Sequence, residues 1–250
     1  TVTALTLDMS AAGAATFNAG ATFDGSVGVG IANPSAYYAD FRNLVLGNAS
    51  ANSGMTIVSS TSNSGTIAFS DGTSGSEAYR GYIQYDHGAD TLAFGSLATQ
   101  RMVIDASGRV TMPSQPAFNV HPASAQNNIA LDTAVTVVLG TERFDIGANF
   151  ASNTFTAPVT GKYQLNLHLQ LSALDSAAGF YQIQLITSNK SYNLTVDPNF
   201  SADPTYYGIT NSVLADMDAS DTAIIKVYQA GGTAQTDIDI STNFSGYLVA

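Results

Sequence analysis

The residues able to do chemistry in this 250-residue chain are few, and their spacing restricts what they can do. Ser, His and Asp all occur, but no G-x-S-x-G elbow presents a nucleophile. His87, His121 and His168 fall in three separate segments: a turn, the position before Pro122, and the polar side of an alternating run. They read as unrelated surface or interface residues. The alternative is symmetry, since a histidine near a threefold axis meets two copies of itself and can then hold a metal or an anion. Asp216, Asp218 and Asp221 form D-x-D-x-x-D, an oxygen cluster of the kind a hard cation such as calcium favours, but the loop lacks the glycine and terminal glutamate of an EF-hand. It reads as a turn with solvated carboxylates, and metal binding stays open. Glycosidase chemistry needs two carboxylates flanking a cleft; Glu77 and Glu142 are the only glutamates, and the aspartates sit mostly beside Gly, Ser or Ala in turn-like sequence. The expectation is a protein that binds and does not catalyse, with no cofactor.

The segment best suited to binding is 197–207, DPNFSADPTYY. Two Asp-Pro turns, at Asp197 and Asp203, frame a loop carrying Phe200, Tyr206 and Tyr207. Aromatic rings with carboxylates nearby can stack on sugars and hydrogen-bond them. The competing reading places these rings in a subunit interface.

The elements that must position these residues are strands. From Gly161 the sequence alternates, with Tyr163, Leu165, Leu167, Leu169 and Leu171 on one side and Lys162, Gln164, Asn166, His168 and Gln170 on the other. A period of two makes a strand with one buried and one wetter face. Further runs follow the same rule: 117–121, 129–139, 143–150, 154–158, 179–189, 191–196, 206–217, 222–230 and 236–250. Upstream, 44–48, 54–60, 65–72, 80–96 and 101–112 are short alternating stretches separated by turn residues. The glycines Gly25, Gly28 and Gly30 do not have the G-x-G-x-x-G spacing of a dinucleotide site.

Composition agrees with an all-β fold. Hydrophobic residues make up 45% of the chain and charged ones only 11%, so Ser, Thr, Asn, Gln and Gly must cover the surface. Acidic residues outnumber basic ones 19 to 8, which argues against holding a nucleic-acid backbone. There is no cysteine, and no run reaches the ~20 apolar residues of a membrane helix. Nothing at the start resembles a signal peptide.

The pattern F-x5-G-x-Y-x-L-x-L, at Phe155, Gly161, Tyr163, Leu165 and Leu167, resembles the central signature of C1q-like (tumour-necrosis-factor-like) jelly rolls. The closing strand of that family, S-x-F-x-G-[FY]-L, is similar to Thr242, Phe244, Gly246, Tyr247 and Leu248. The two leucines stand where aromatics are usual, and Phe150 lies closer to Phe155 than in the family pattern. The resemblance implies a trimer. A second one covers about 70 residues: G-x-I-x-F-x-D, G-x-I-x-Y-D-H-x-x-D-x-L-x-F and R-M-x-I-D-x-x-G-x-V, from Gly65 to Val110, look like a module of bacteriophage tail fibres.

The organisation expected is a shaft or virion-attachment segment (1–33), a fibre-type β module (34–113), and a jelly-roll head (114–250), with the prolines of 113–116 at the boundary. In the shaft, Val2, Leu5, Leu7, Phe17 and Phe23 are too sparse for a monomeric core, so three copies would share one. The two resemblances imply a homotrimeric tail fibre in the virion. Its N-terminal segment would join other virion proteins and its head would bind a glycan or protein on the bacterial surface, without membrane insertion. A head-decorating or spacer fibre and a trimeric secreted adhesin are the alternatives; the adhesin reading expects an export signal in the full gene.

Overall fold

The computed structural model describes residues 25–250, apart from Ala32 and Ala49. The shaft positions Val2 to Phe23 therefore lie outside the described residues. Every described element is a strand or a short 3-10 turn, so the fold is all-β. No helix among the described residues is long and apolar enough to cross a membrane. By contact density the chain divides into Thr1–Gly65 and Thr66–Ala250.

In the first unit, β1 (Val27–Val29) runs parallel to β2 (Leu44–Leu46), and two 3-10 turns, Pro34–Ala36 and Ala39–Phe41, make the crossover. Residues 54–60, expected as a strand, form none: Met55, Ile57 and Val58 are exposed, and nothing described pairs with them. Apolar alternation without a partner edge does not make a strand.

A five-stranded antiparallel meander follows, in sequence order: β3 (Ser64–Phe69), β4 (Gly81–Asp86), β5 (Thr91–Ser96), β6 (Thr99–Ile104) and β7 (Val110–Thr111). Its register sorts the side chains by face. Ile83 lies opposite Phe94, and Phe94 opposite Met102; Tyr85 lies opposite Leu92, Leu92 opposite Ile104, and Ile104 opposite Val110. On β3, the Thr66 hydroxyl accepts from Gln84, which points the other way, while Phe69 approaches Gly81 on the apolar side. One face is therefore apolar across all five strands. The other carries Thr66, Gln84, Asp86, Thr91 and Thr111.

The remaining strands build a sandwich. They are β8 (Ala117–His121), β9 (Val135–Thr136), β10 (Thr141–Ile146), β11 (Phe150–Ala151), β12 (Thr154–Thr156), β13 (Gly161–Ser172), β14 (Tyr181–Thr187), β15 (Ser191–Val196), β16 (Tyr206–Met217), β17 (Thr222–Gln229), β18 (Asp237–Ile238) and β19 (Asn243–Leu248). One sheet is ordered β10-β8-β19-β13-β16 and the other β11-β12-β17-β14-β15. From β13 to β19 the chain crosses between sheets at every step but the β14-β15 hairpin and the β18-β19 step, and the last strand returns beside the first. This is a jelly roll.

Alternation explains the core. Tyr163, Leu165, Leu167, Leu169 and Leu171 from β13 face Tyr181, Ile183 and Leu185 from β14 and Ala223, Ile225 and Val227 from β17, all buried. Phe118 stacks on Phe155 with ring centroids 4.6 Å apart, and Phe150 and Phe244 close the cluster. Two signature glycines are sterically required. A Cβ on Gly161 would sit 2.5 Å from the Ala250 carbonyl oxygen, and one on Gly246 would sit 2.7 Å from both Leu165 and Phe118.

The short spacing from Phe150 to Phe155 also has a physical reason. The two residues are cross-strand partners in a hairpin whose two-residue turn, Ser152-Asn153, has positive φ throughout. The stretch 129–139, expected as one strand, is a strand only at Val135–Thr136. Around it, side chains take over the backbone groups: Gln126 donates to the Thr136 carbonyl and accepts from Val138 N–H, and Asn153 accepts from Leu139 N–H.

Candidate functional site

The jelly roll has two unlike ends. The linker enters at the Gly161 end of β13, where Pro116 accepts from Leu248 N–H. The other end lies about 37 Å away along the twelve residues of β13. Three loops gather there: 173–180 after β13, 197–205 before β16, and 230–236 after β17.

Two aspartates tie these loops together. Asp175 is buried, and its carboxylate accepts from the backbone N–H groups of Ala177 (2.8 Å), Thr233 (2.5 Å) and Ala234 (2.8 Å). Burial disfavours its charge, but the donations from Ala234, Ala177 and Thr233 outweigh it and hold the carboxyl below the usual aspartate value. Beneath it, the Tyr181 hydroxyl meets Thr236 Oγ1 at 2.6 Å and donates to the Asp175 carbonyl, and burial pushes its phenol up. Gln229, also buried, accepts from Thr236 N–H and donates to the Ala234 carbonyl. Asp203 accepts from both the backbone and the hydroxyl of Ser176, fastening the 197–205 loop to the 173–180 loop.

On this braced end, Tyr206 stands 63% exposed at the start of β16. It forms a wall shared by two open pockets. One, about 420 Å³, is lined by Ser172, Ala173, Asp203, Pro204, Thr205, Ala234 and Gln235 besides Tyr206. The other, about 540 Å³, is lined by Gln170, Asp239, Ile240 and Ser241 besides Tyr206. Between them the pockets present an aromatic ring, two carboxylates, two amides and hydroxyls. Such groups can hold a polyhydroxylated ligand by stacking and hydrogen bonding, without a positioned nucleophile.

Of the five candidates in 197–207, the structure brings together Asp203 and Tyr206. Tyr207 points the opposite way, as a period-two neighbour must, and packs against the core, with Phe200 tilted onto it at 5.4 Å. Phe200 and Asp197 do not line either pocket. Asp239, Gln170 and Gln235 come from elsewhere in the chain, and no local sequence motif marks them.

The other candidate groups lie apart. Asp216 pairs with Lys162, Asp221 accepts from Asp218 N–H and from Asn189, and Thr160 donates to Asp218, so each carboxylate of the 216–221 turn has its own partner. His87 sits edge-on against Tyr85, His121 Nδ1 lies 2.9 Å from the Pro122 carbonyl oxygen, and His168 is exposed on the outer face of β13. Among the described residues no group of three or more His, Cys, Asp or Glu is placed to hold a metal ion.

The outer face of the β13 sheet is itself ordered. Gln164 donates to Ser212, Ser212 to Asn166, and Asn243 to Asn119. Exposed Phe144, Leu214 and Tyr247 surround this polar network.

No protein-family model and no curated protein sequence matches the chain. Solved structures do resemble it. The globular domain of a zebrafish complement 1qA protein matches over 54% of this chain and 98% of its own length, at 16% identity and a TM-score of 0.39. Crystal structures of murine APRIL at pH 8.0 and pH 8.5 match over 54% of this chain and 99% of their own length, at 11% and 12% identity and TM-scores of 0.39 and 0.38.

Proposed function

We propose that the chain is a homotrimeric virion fibre, of the bacteriophage tail-fibre kind, that attaches to a glycan on the bacterial surface through the distal end of its jelly roll. The observation that carries this reading is the exposed Tyr206 between two open, polar-flanked pockets, on loops locked by Asp175 and Asp203 and remote from the linker. Locked loops lose little entropy when a ligand settles on them. Three copies of a weak site on one axis convert modest contacts into firm attachment. The trimer reading rests on the C1q-like and tail-fibre sequence patterns, together with the ordered outer face of the β13 sheet. The site serves binding: its polar groups lie in open pockets, and the Asp175 carboxylate beneath them is used up in holding backbone.

The test uses the full chain on an array of purified bacterial capsular polysaccharides and lipopolysaccharides. The wild type is expected to be retained on at least one glycan. Tyr206→Ala should lose retention at least tenfold at unchanged native mass, while Lys162→Ala, at the opposite end, should behave as wild type. Equal retention of Tyr206→Ala and wild type would remove the site. Absence of wild-type retention on every glycan would favour a spacer or decorating fibre.

A further inference from the structure

The meander β3–β7 is a single layer. Ile83, Leu92, Phe94, Met102, Ile104 and Val110 share one face and Tyr82, Ala93 and Val103 lie on the other, yet among its strands only Ala93 is buried. Phe69 is 60% exposed and Val110 53%, and Ile67, Tyr85 and Phe94 are exposed as well. The uncovered apolar area is on the order of 500 Å², at the upper end of what a monomer's surface shows and short of the ~800 Å² per partner of a standard interface. A sheet with one apolar face requires a second layer, and no described element of the chain supplies it. No charged side chain of the five strands points to this face; the nearest carboxylate is Asp90, at its edge, which accepts from the Tyr85 hydroxyl. On a chain of net charge −11 the middle of the face is a place where copies can meet without like charges being pressed together.

We infer that this face is an interface between three copies of the chain, each turning the Phe69–Tyr85–Phe94–Val110 side of its meander toward a common axis. The inference rests on the homotrimer reading. Every part of a homo-oligomer shares one symmetry, so a chain whose head is threefold cannot pair its meander face to face as an isolated dimer. Three inward faces form a prism with an apolar centre, and the Thr66, Gln84 and Asp86 faces remain in water. The apolar spacing across 65–110 then has a physical purpose: it builds a core that no single copy can close.

The chain has no cysteine, so single-cysteine variants report one position each. Val110 and Thr111 are neighbours on β7, face opposite ways, and are both exposed in one copy. In the native full chain, Val110→Cys should react with a polyethylene-glycol maleimide at least tenfold more slowly than Thr111→Cys, and the two should react alike after denaturation. Phe94→Cys, on the central strand, supplies a second inward position if Val110→Cys assembles poorly. Native mass is measured on the same samples. A trimer in which Val110→Cys and Thr111→Cys react equally overturns the inference and leaves the trimer standing. A single-chain mass with equal labelling overturns both. A single-chain mass with Val110→Cys protected shows that the chain covers its own face, and overturns the inference.

Discussion

Replacing Asp175 by Asn should unfasten the distal loops at a cost that can be worked from the hydrogen bonds. One carboxylate oxygen accepts from Thr233 and Ala234 N–H, the other from Ala177 N–H at 2.8 Å and from the Thr233 hydroxyl at 3.4 Å. An amide keeps one acceptor and turns an NH₂ toward backbone donors. If its oxygen stays on Thr233 and Ala234, Ala177 N–H faces a donor; if it flips, two donors are orphaned. Hydrogen bonds to a charged acceptor are worth ~1.5–3 kcal/mol each, and leaving a buried donor unmet costs ~1–3 kcal/mol, so a loss of about 3 kcal/mol is expected at neutral pH. The folded-state carboxyl lies below its unfolded value. Its contribution is therefore full above about pH 4 and is lost as pH falls through the folded-state value. Urea unfolding at one fixed protein concentration measures both effects. Asp175→Asn should unfold at lower urea than wild type at pH 7, and the gap should narrow at pH 3 and below. Equal midpoints at pH 7 would refute the bracing role, and a gap that stays constant into acid would refute its dependence on charge.

Other perturbations separate core from surface. Gly246→Ala drives a methyl into Leu165 and Phe118, both buried, and should lower stability by about 2–3 kcal/mol in the same urea assay. Phe118→Ala removes the ring that stacks on Phe155 and meets Phe150 and Phe244, for a loss of about 3–5 kcal/mol. Lys162→Ala breaks an exposed pair with Asp216 and should shift stability by less than about 1 kcal/mol. Tyr206→Ala should leave the thermal midpoint within about 2 °C of wild type, since an exposed ring contributes little to folding.

Where a strand is buried on one side, its sequence shows it. The burial alternations of β13, β14 and β17 run the full length of their strands, because a slip by one residue would turn Leu165, Ile183 or Ile225 into water. The stretch at 129–139 reads just as apolar, but Gln126 and Asn153 occupy its backbone groups, and such long-range side-chain bonds leave no local pattern. The site was half legible. Asp203 and Tyr206 lie in a segment whose composition marks it, and the same alternation that places Tyr206 outward sends Tyr207 inward. Asp175 looks like any other turn aspartate, and its partners lie 58 and 59 residues away. Asp239 and Gln235 reach the pockets only because β18 docks on the end of β13.

The central claim is that this chain works as three copies on one axis, and the native mass of the intact wild-type protein by light scattering tests it most directly. The account predicts a mass three times that of one chain, unchanged on dilution through the micromolar range. A mass of one chain would contradict it, because an apolar meander face and a multivalent distal site have no use in a protein that stays single.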